Sequence, residues 1–249
     1  MSQSDLAANL ARVQARILQA ARRAGRDPDE ITLIGVCKTQ PVERVIAAYQ
    51  AGLRHFGENR VEEAELKIPA FHRELPDAGV TWHMIGHIQS RKAGRVLAHF
   101  DAIHAVDSLK LAQRLNRLAE AQGLERRTPI LLECNVSGEA SKFGFNLSNW
   151  QTEPDRFDEF KAVIRQIAPL DRVQIQGLMT MAPIVPDPEE ARPVFQTLFE
   201  LGQRLRAEFP DLDWSQLSMG MTDDFEVAIE EGATQVRVGR AIFGPRLIN

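Results

Sequence analysis

The sequence predicts a single (β/α)8 barrel of the TIM type with one extra amino-terminal helix. Three observations carry this. After Gly25, eight short segments rich in Ile, Val and Leu alternate with amphipathic stretches. The 249 residues suit an α/β barrel built as one domain, here residues 1–249. An open doubly wound sheet would normally carry an early glycine-rich phosphate turn, and the chain has neither GxGxxG nor GxxxxGK followed by Ser or Thr.

The elements follow in order. Residues 5–24 carry Arg12, Arg16, Arg22 and Arg23 against Asp5 alone. An Arg-rich amphipathic start can be an organelle presequence. Leu6, Leu10, Val13, Ile17 and Ala21 instead fall at helical spacing, with Gly25 as the stop, and predict a helix packed on the domain. The predicted strands are Ile31–Val36, Leu53–Gly57, Val80–Gly86, Ala102–Val106, Pro129–Val136, Val173–Met181, Trp214–Met219 and Thr234–Val238. Pro41–Gln50 reads as a helix opened by proline and ended before Gly52. Ser108–Gln122 has a Ser cap and stops at Gly123. Pro188–Phe209 places Val194, Leu198, Leu201 and Leu205 on one stripe. In Asp223–Glu231, Asp223 and Glu226 resemble a capping box. Residues 143–155 read as a long loop after the fifth strand.

Composition narrows the function. The net charge of -4 argues against a protein devoted to nucleic acid. No apolar run reaches the ~18 residues of a membrane span. Two cysteines, Cys37 and Cys134, make no disulfide framework and no CxxC, and with no secretory signal the expected compartment is the reducing cytoplasm.

In such a barrel the functional groups sit at the carboxyl ends of the strands. Lys38 ends the apolar run Ile31–Cys37. With period two it shares a face with Ile34 and Val36, while Cys37 points to the helices. Facing the interior, its amine would be desolvated and nucleophilic towards a carbonyl. Facing outward, it would be a strand-end lysine reaching solvent. Ser218-Met219-Gly220-Met221 and Val238-Gly239-Arg240 end the last two strands, where barrels often bind phosphate; the glycines could equally be turn residues. His83 and His87 are four apart, but across a strand end, which is poor spacing for a metal.

Together these segments resemble the pyridoxal-phosphate homeostasis proteins, whose barrel is similar to the amino-terminal domain of alanine racemase. The matching stretches are Gly35–Thr39, His55–Asn59, Trp82–Gly86 with Ile88–Ser90, and Asn135–Glu139 with Lys142 and Gly144. They continue with Gly177–Met179, Leu217–Met221, Val236–Gly239 and Ile242–Gly244. They span nearly the whole chain, in order. The resemblance implies a barrel like that of fold type III enzymes, binding pyridoxal 5'-phosphate (PLP). Lys38 would carry the cofactor as a Schiff base and Arg237 would meet the pyridine nitrogen. Ser218, Gly239 and the amide of Arg240 would hold the phosphate, with Asn59 and Met219 lining the site. Cys37 stands where many members have Ser, Arg60 where many have Tyr, and Arg91 where Asn is frequent. Residues 143–155 look longer than usual.

The family implication is a monomeric carrier in vitamin B6 homeostasis, holding PLP and releasing it to apo-enzymes, without a demonstrated reaction. An Arg beside the ring nitrogen keeps the ring a weak electron sink. The racemase takes a Tyr acid/base from a further domain, whereas the single tyrosine here, Tyr49, is predicted in the first barrel helix, away from the rim. The alternative is a PLP-dependent amino-acid racemase or lyase using a rim residue such as His83.

Overall fold

The computed structural model describes residues 3–245. Eight parallel strands close into a barrel. They are Thr32–Val36 (β1), His55–Glu58 (β2), Thr81–Met84 (β3), Ala102–Val106 (β4), Thr128–Asn135 (β5), Val173–Met179 (β7), Gln216–Ser218 (β8) and Gln235–Val238 (β9). The order runs β4-β3-β2-β1-β9-β8-β7-β5, and β4 pairs with β5 to complete the ring. All eight predicted strands are present. The two-residue strand Phe145–Asn146 (β6) joins β5 beside Cys134 and Asn135, inside the segment expected to be loop. Leu147 and Trp150 after it are buried, so this loop carries its own apolar anchor.

Helices cover the outside. Gln3–Arg23 (α1) buries the predicted stripe Leu6, Leu10, Val13, Ile17 and Ala21. The remaining helices are Val42–Gln50 (α2), Val61–Glu74 (α3), Ala93–His99 (α4), Leu109–Ala121 (α5), Pro154–Ile167 (α6), Arg192–Glu208 (α7), Phe225–Glu230 (α8) and Arg240–Phe243 (α9). The Ser108 hydroxyl accepts from the Leu111 N–H, as its position predicts for an N-cap. On α7, Phe195 rather than Val194 takes the inner position with Leu198, Leu201 and Leu205.

The expected capping box is absent. Asp224, not Asp223, precedes α8, and its carboxylate accepts from the Met221 N–H. Asp223 pairs with Arg240, and Glu226 reaches across to Arg16 of α1 at 2.7 Å. Interhelix ion pairs thus take the carboxylates that local capping would have used.

The main core lies between strands and helices. Phe56, Phe71 and Trp82 form its aromatic knot, with Phe71 edge-on to Trp82 at 5.5 Å. Among the described residues no helix is long and apolar enough to cross a membrane.

Candidate functional site

The site is built at the carboxyl ends of β1, β9 and β8, which are neighbours in the barrel. Two inter-strand spacings separate the outer members, about 10 Å. Strand alternation does what the sequence predicts as far as Cys37. Its side chain is buried in the outer core, and Lys38 follows in a turn at the mouth, half-buried.

That turn is held from behind. Lys67 of α3 donates to the Cys37 carbonyl at 2.7 Å and pairs with Glu58 at the end of β2. The Cys37 thiol lies 3.2 Å from the same Glu58 oxygen. Thr39 takes a left-handed conformation, φ 61°, and its N–H donates to Glu63 at 2.7 Å. A β-branched residue there is strained and must be held by its surroundings. Burial raises the Glu58 carboxyl, opposed by Lys67. Burial, with Glu58 next to it, raises the Cys37 thiol far above its ordinary value, so this cysteine stays a thiol.

Across the mouth, β9 ends in Gly239, which opens α9. The N–H groups of Gly239, Arg240 and Ala241 meet no backbone acceptor among the described residues. A Cβ on Gly239 would stand 3.2 Å from the Val36 carbonyl and 3.3 Å from its Cβ, so glycine lets β9 and β1 approach with their amides uncovered. After β8, Gly220 has φ 89° and passes against Phe225 and Ala228, which turns Met221 and Thr222 to the rim. Exposed amides of this kind suit an anion. The Arg240 side chain itself turns outward to Asp223.

Below the rim lies Arg237, fully buried. One terminal nitrogen, Nη1, donates to the Ser218 carbonyl at 2.8 Å and the Ser218 hydroxyl at 2.7 Å. The other, Nη2, donates to the Thr180 carbonyl at 2.9 Å. Burial lowers this guanidinium to about 10, with Asp224 and Glu133 opposing, and it stays charged at neutral pH. Of its five N–H groups these bonds use three among the described residues.

Two expected site residues lie deeper than the rim. The Ser218 hydroxyl, expected at the phosphate, is buried and shared between Arg237 and His104. Thr222, unremarked in the sequence, is half-buried in the turn after β8. Met219 belongs to the outer core rather than the mouth. Asn59 follows β2, half-buried, its Oδ1 without a partner among the described residues. His83 is inside the barrel with both ring nitrogens engaged, and burial with His55 beside it lowers it to about 3. His87 instead meets Asp107 at 3.0 Å and stacks on Phe143. Among the described residues no group of three or more His, Cys, Asp or Glu could hold a metal.

Glu133 on β5 was not singled out by any sequence pattern. Burial, then Asp107, raises its carboxyl to about 7, with Arg237 opposing, and its Oε2 has no partner among the described residues. Nearby, Lys142 donates to the Met181 carbonyl at 2.9 Å and pairs with Glu139. The whole arrangement offers an amine, a buried guanidinium and a cradle of amides around one opening. That donor set fits a ligand with an aldehyde, a ring acceptor and an anionic tail.

The comparisons agree with this geometry. Residues 8–246 match the family described as alanine racemase, N-terminal domain. Pyridoxal phosphate homeostasis proteins of Vibrio alginolyticus and of Escherichia coli K12 are each 41% identical over 98% of this chain, and 98% and 97% of their own lengths are covered. The solved structure of PipY from Synechococcus elongatus with PLP bound is 36% identical, with a TM-score of 0.79 over 96% of this chain and 100% of that one. The chain belongs to the pyridoxal phosphate homeostasis proteins, within the alanine racemase N-terminal-domain family.

Proposed function

We propose that this chain is a PLP-holding protein of vitamin B6 homeostasis, in which residues 1–249 make one PLP-binding domain. The observation that carries the reading is that Lys38, just after β1, and Arg237 with the amides of Gly239–Ala241, at the end of β9, lie on adjacent strands at the same end of the barrel. PLP supplies an aldehyde that an amine can take reversibly. The Lys38 amine would hold it there as a Schiff base, with release of water, and Arg237 would meet the ring nitrogen. Ser218, Gly239 and the amide of Arg240 would hold the phosphate, and Asn59 would border the ring.

The racemase or lyase alternative loses its acid/base. His83 is neutral, buried and hydrogen-bonded through both nitrogens, so it can neither reach nor protonate a substrate carbon at neutral pH. Tyr49 is on α2, edge-on to Phe71 and beneath Arg54 on the outer shell. A carrier needs no second acid/base. The reading includes a cytoplasmic monomer that passes PLP to apo-enzymes; two buried, unpaired cysteines are compatible with a reducing compartment.

Borohydride reduction of the purified protein with PLP, followed by peptide mass mapping, tests it. The pyridoxyl mass is expected on Lys38; finding it on Lys142, Lys92 or Lys67 overturns the assignment. Incubation with an apo-PLP-enzyme is expected to restore that enzyme's activity. Lys38-dependent α-proton exchange of alanine in D₂O at ~1 s⁻¹ or more would establish an enzyme instead.

A further inference from the structure

Three histidines run through the barrel interior in one hydrogen-bonded file. His55 Nδ1 lies 3.0 Å from His83 Nε2, His83 Nδ1 lies 2.9 Å from His104 Nε2, and His104 Nδ1 lies 2.9 Å from the Ser218 hydroxyl. The file ends at Arg237, which donates to that hydroxyl. His83, His104, Ser218 and Arg237 are buried, while His55, at the opening of β2, is half-buried. The PLP-binding reading uses none of the three rings.

Hydrogen counting fixes the direction of the file. An arginine only donates. The Ser218 oxygen therefore accepts from Arg237, and its single hydrogen needs an acceptor in a fully buried place. His104 Nδ1 is the other partner within reach, so the hydroxyl donates to it. A neutral imidazole that accepts at Nδ1 carries its hydrogen at Nε2, so His104 donates to His83 Nδ1. The same step makes His83 donate to His55 Nδ1, and the hydrogen on His55 Nε2 reaches the half-buried end, where water can accept it. The opposite order makes Ser218 accept from both sides and strands its hydrogen without an acceptor, a buried loss that the forward order avoids. Burial keeps His83 and His104 neutral, and His83 and Arg237 oppose a charge on His104 further.

We propose that Arg237 dictates the tautomer of His55, His83 and His104, all Nε2–H, and that this one-way file is a positioning device that fixes the orientation of the Arg237 guanidinium. His104 and Ser218 are positioning residues in it. The tautomer order stands on these side chains alone; the positioning role rests on the PLP-binding reading.

The test has two arms. The first uses ¹⁵N-histidine-labelled protein without PLP and reads two-bond ¹H–¹⁵N spectra near pH 7.5, with His→Gln variants for assignment. All three rings are expected to show an unprotonated Nδ1 and a protonated Nε2. An Nδ1–H or doubly protonated ring at His83 or His104 overturns the order. The Arg237→Met variant should mix the tautomers, and an unchanged pattern there overturns control by the arginine. The second arm measures PLP release by stopped-flow absorbance. His104→Leu should release PLP about tenfold faster, the scale of one hydrogen bond to a charged group. His104→Asn, which restores an acceptor at the Nδ1 position, should return to within about twofold of the parent on the same scale. Equal release from the Leu and Asn variants overturns the positioning role. If either variant fails to fold, Ser218→Ala gives the same reading, with about tenfold faster release expected and an unchanged rate overturning the role. Failure of the parent protein to bind PLP would overturn the PLP-binding reading and with it the positioning role, and the spectra of the first arm would still decide the tautomer order.

Discussion

Lys67→Met separates a functional staple from an incidental ion pair. The lysine amine bonds the Cys37 carbonyl and pairs with Glu58, with side-chain exposures of 8% for Lys67 and 0% for Glu58. Methionine keeps the apolar stem and removes the charge. Glu58 is then a buried carboxylate whose second oxygen already lacks a partner among the described residues. Removing one member of such a pair typically costs ~3–5 kcal/mol. The cost depends on pH. Burial already raises the Glu58 carboxyl, and loss of Lys67 raises it further. Above the unfolded value, ~4.3, the folded variant binds a proton that the unfolded chain does not, so its stability falls as pH rises, by up to about 1.4 kcal/mol per pH unit. Urea denaturation at pH 8 should therefore show a loss of about 3–5 kcal/mol, and at pH 5 a smaller one. Adding Glu58→Gln to the variant should recover part of the pH 8 loss. PLP release should also accelerate, because the carbonyl just before Lys38 is freed. A loss below about 1 kcal/mol at pH 8, or the same loss at both pH values, would refute the reasoning.

Other outcomes follow from the same interior. Lys38→Ala should remove the covalent link to PLP and leave weak, phosphate-anchored binding, read as loss of borohydride trapping with residual quenching of bound-PLP fluorescence. Glu133→Gln should raise stability at pH 8 relative to pH 5, because the folded carboxyl titrates at about 7 and ionising it in place opposes folding as pH rises from the ordinary carboxylate range towards that value. Denaturation midpoints at the two pH values check this. Arg237→Ala should weaken PLP retention by about 1–3 kcal/mol. It should also lower the thermal midpoint, since the structure places this residue in a buried network rather than at the exposed rim.

The barrel was legible because its strands are short apolar runs and its helices carry stripes such as Leu6, Leu10, Val13 and Ile17. Lys38 was legible as a charge breaking an apolar strand end, although alternation alone left its direction open. What local patterns could not show has one cause. Asp223 and Glu226 have the spacing of a cap, but partners over 200 residues away in the case of Glu226 claimed the side chains, and no local pattern encodes that. Ser218 lies in a phosphate-type stretch, yet the layer it occupies depends on where β8 ends relative to β9. Glu133 sits in an apolar run and looks like any edge charge until the ring closes around it. Long-range pairing decides all three.

The interior itself makes the final argument about purpose. Barrels of this size usually fill their centre with branched apolar side chains. Here the apolar side chains set apart from the outer core include the small cluster of Ala105, Leu131 and Met179, with Met181 against it, and Ile34 beside Gly57. Much of the remaining interior is polar, from His55 through His83, His104 and Ser218 to Arg237, with Gln235 donating to Gln216 at 2.9 Å. Such a layer adds little stability over well-packed Ile and Val, and each member removed strands its neighbours. Its value lies in orientation. The Arg237 guanidinium is fixed by acceptors on two strand ends, at Ser218 and Thr180, and cannot rotate without breaking three hydrogen bonds. Lys38, by contrast, sits on a strained turn gripped from behind by Lys67 and Glu63. In the proposed reading, the group for the ring nitrogen is anchored in the barrel and the amine for the aldehyde stands at its edge. That division suits a protein that holds a ligand in one orientation yet must be able to let it go.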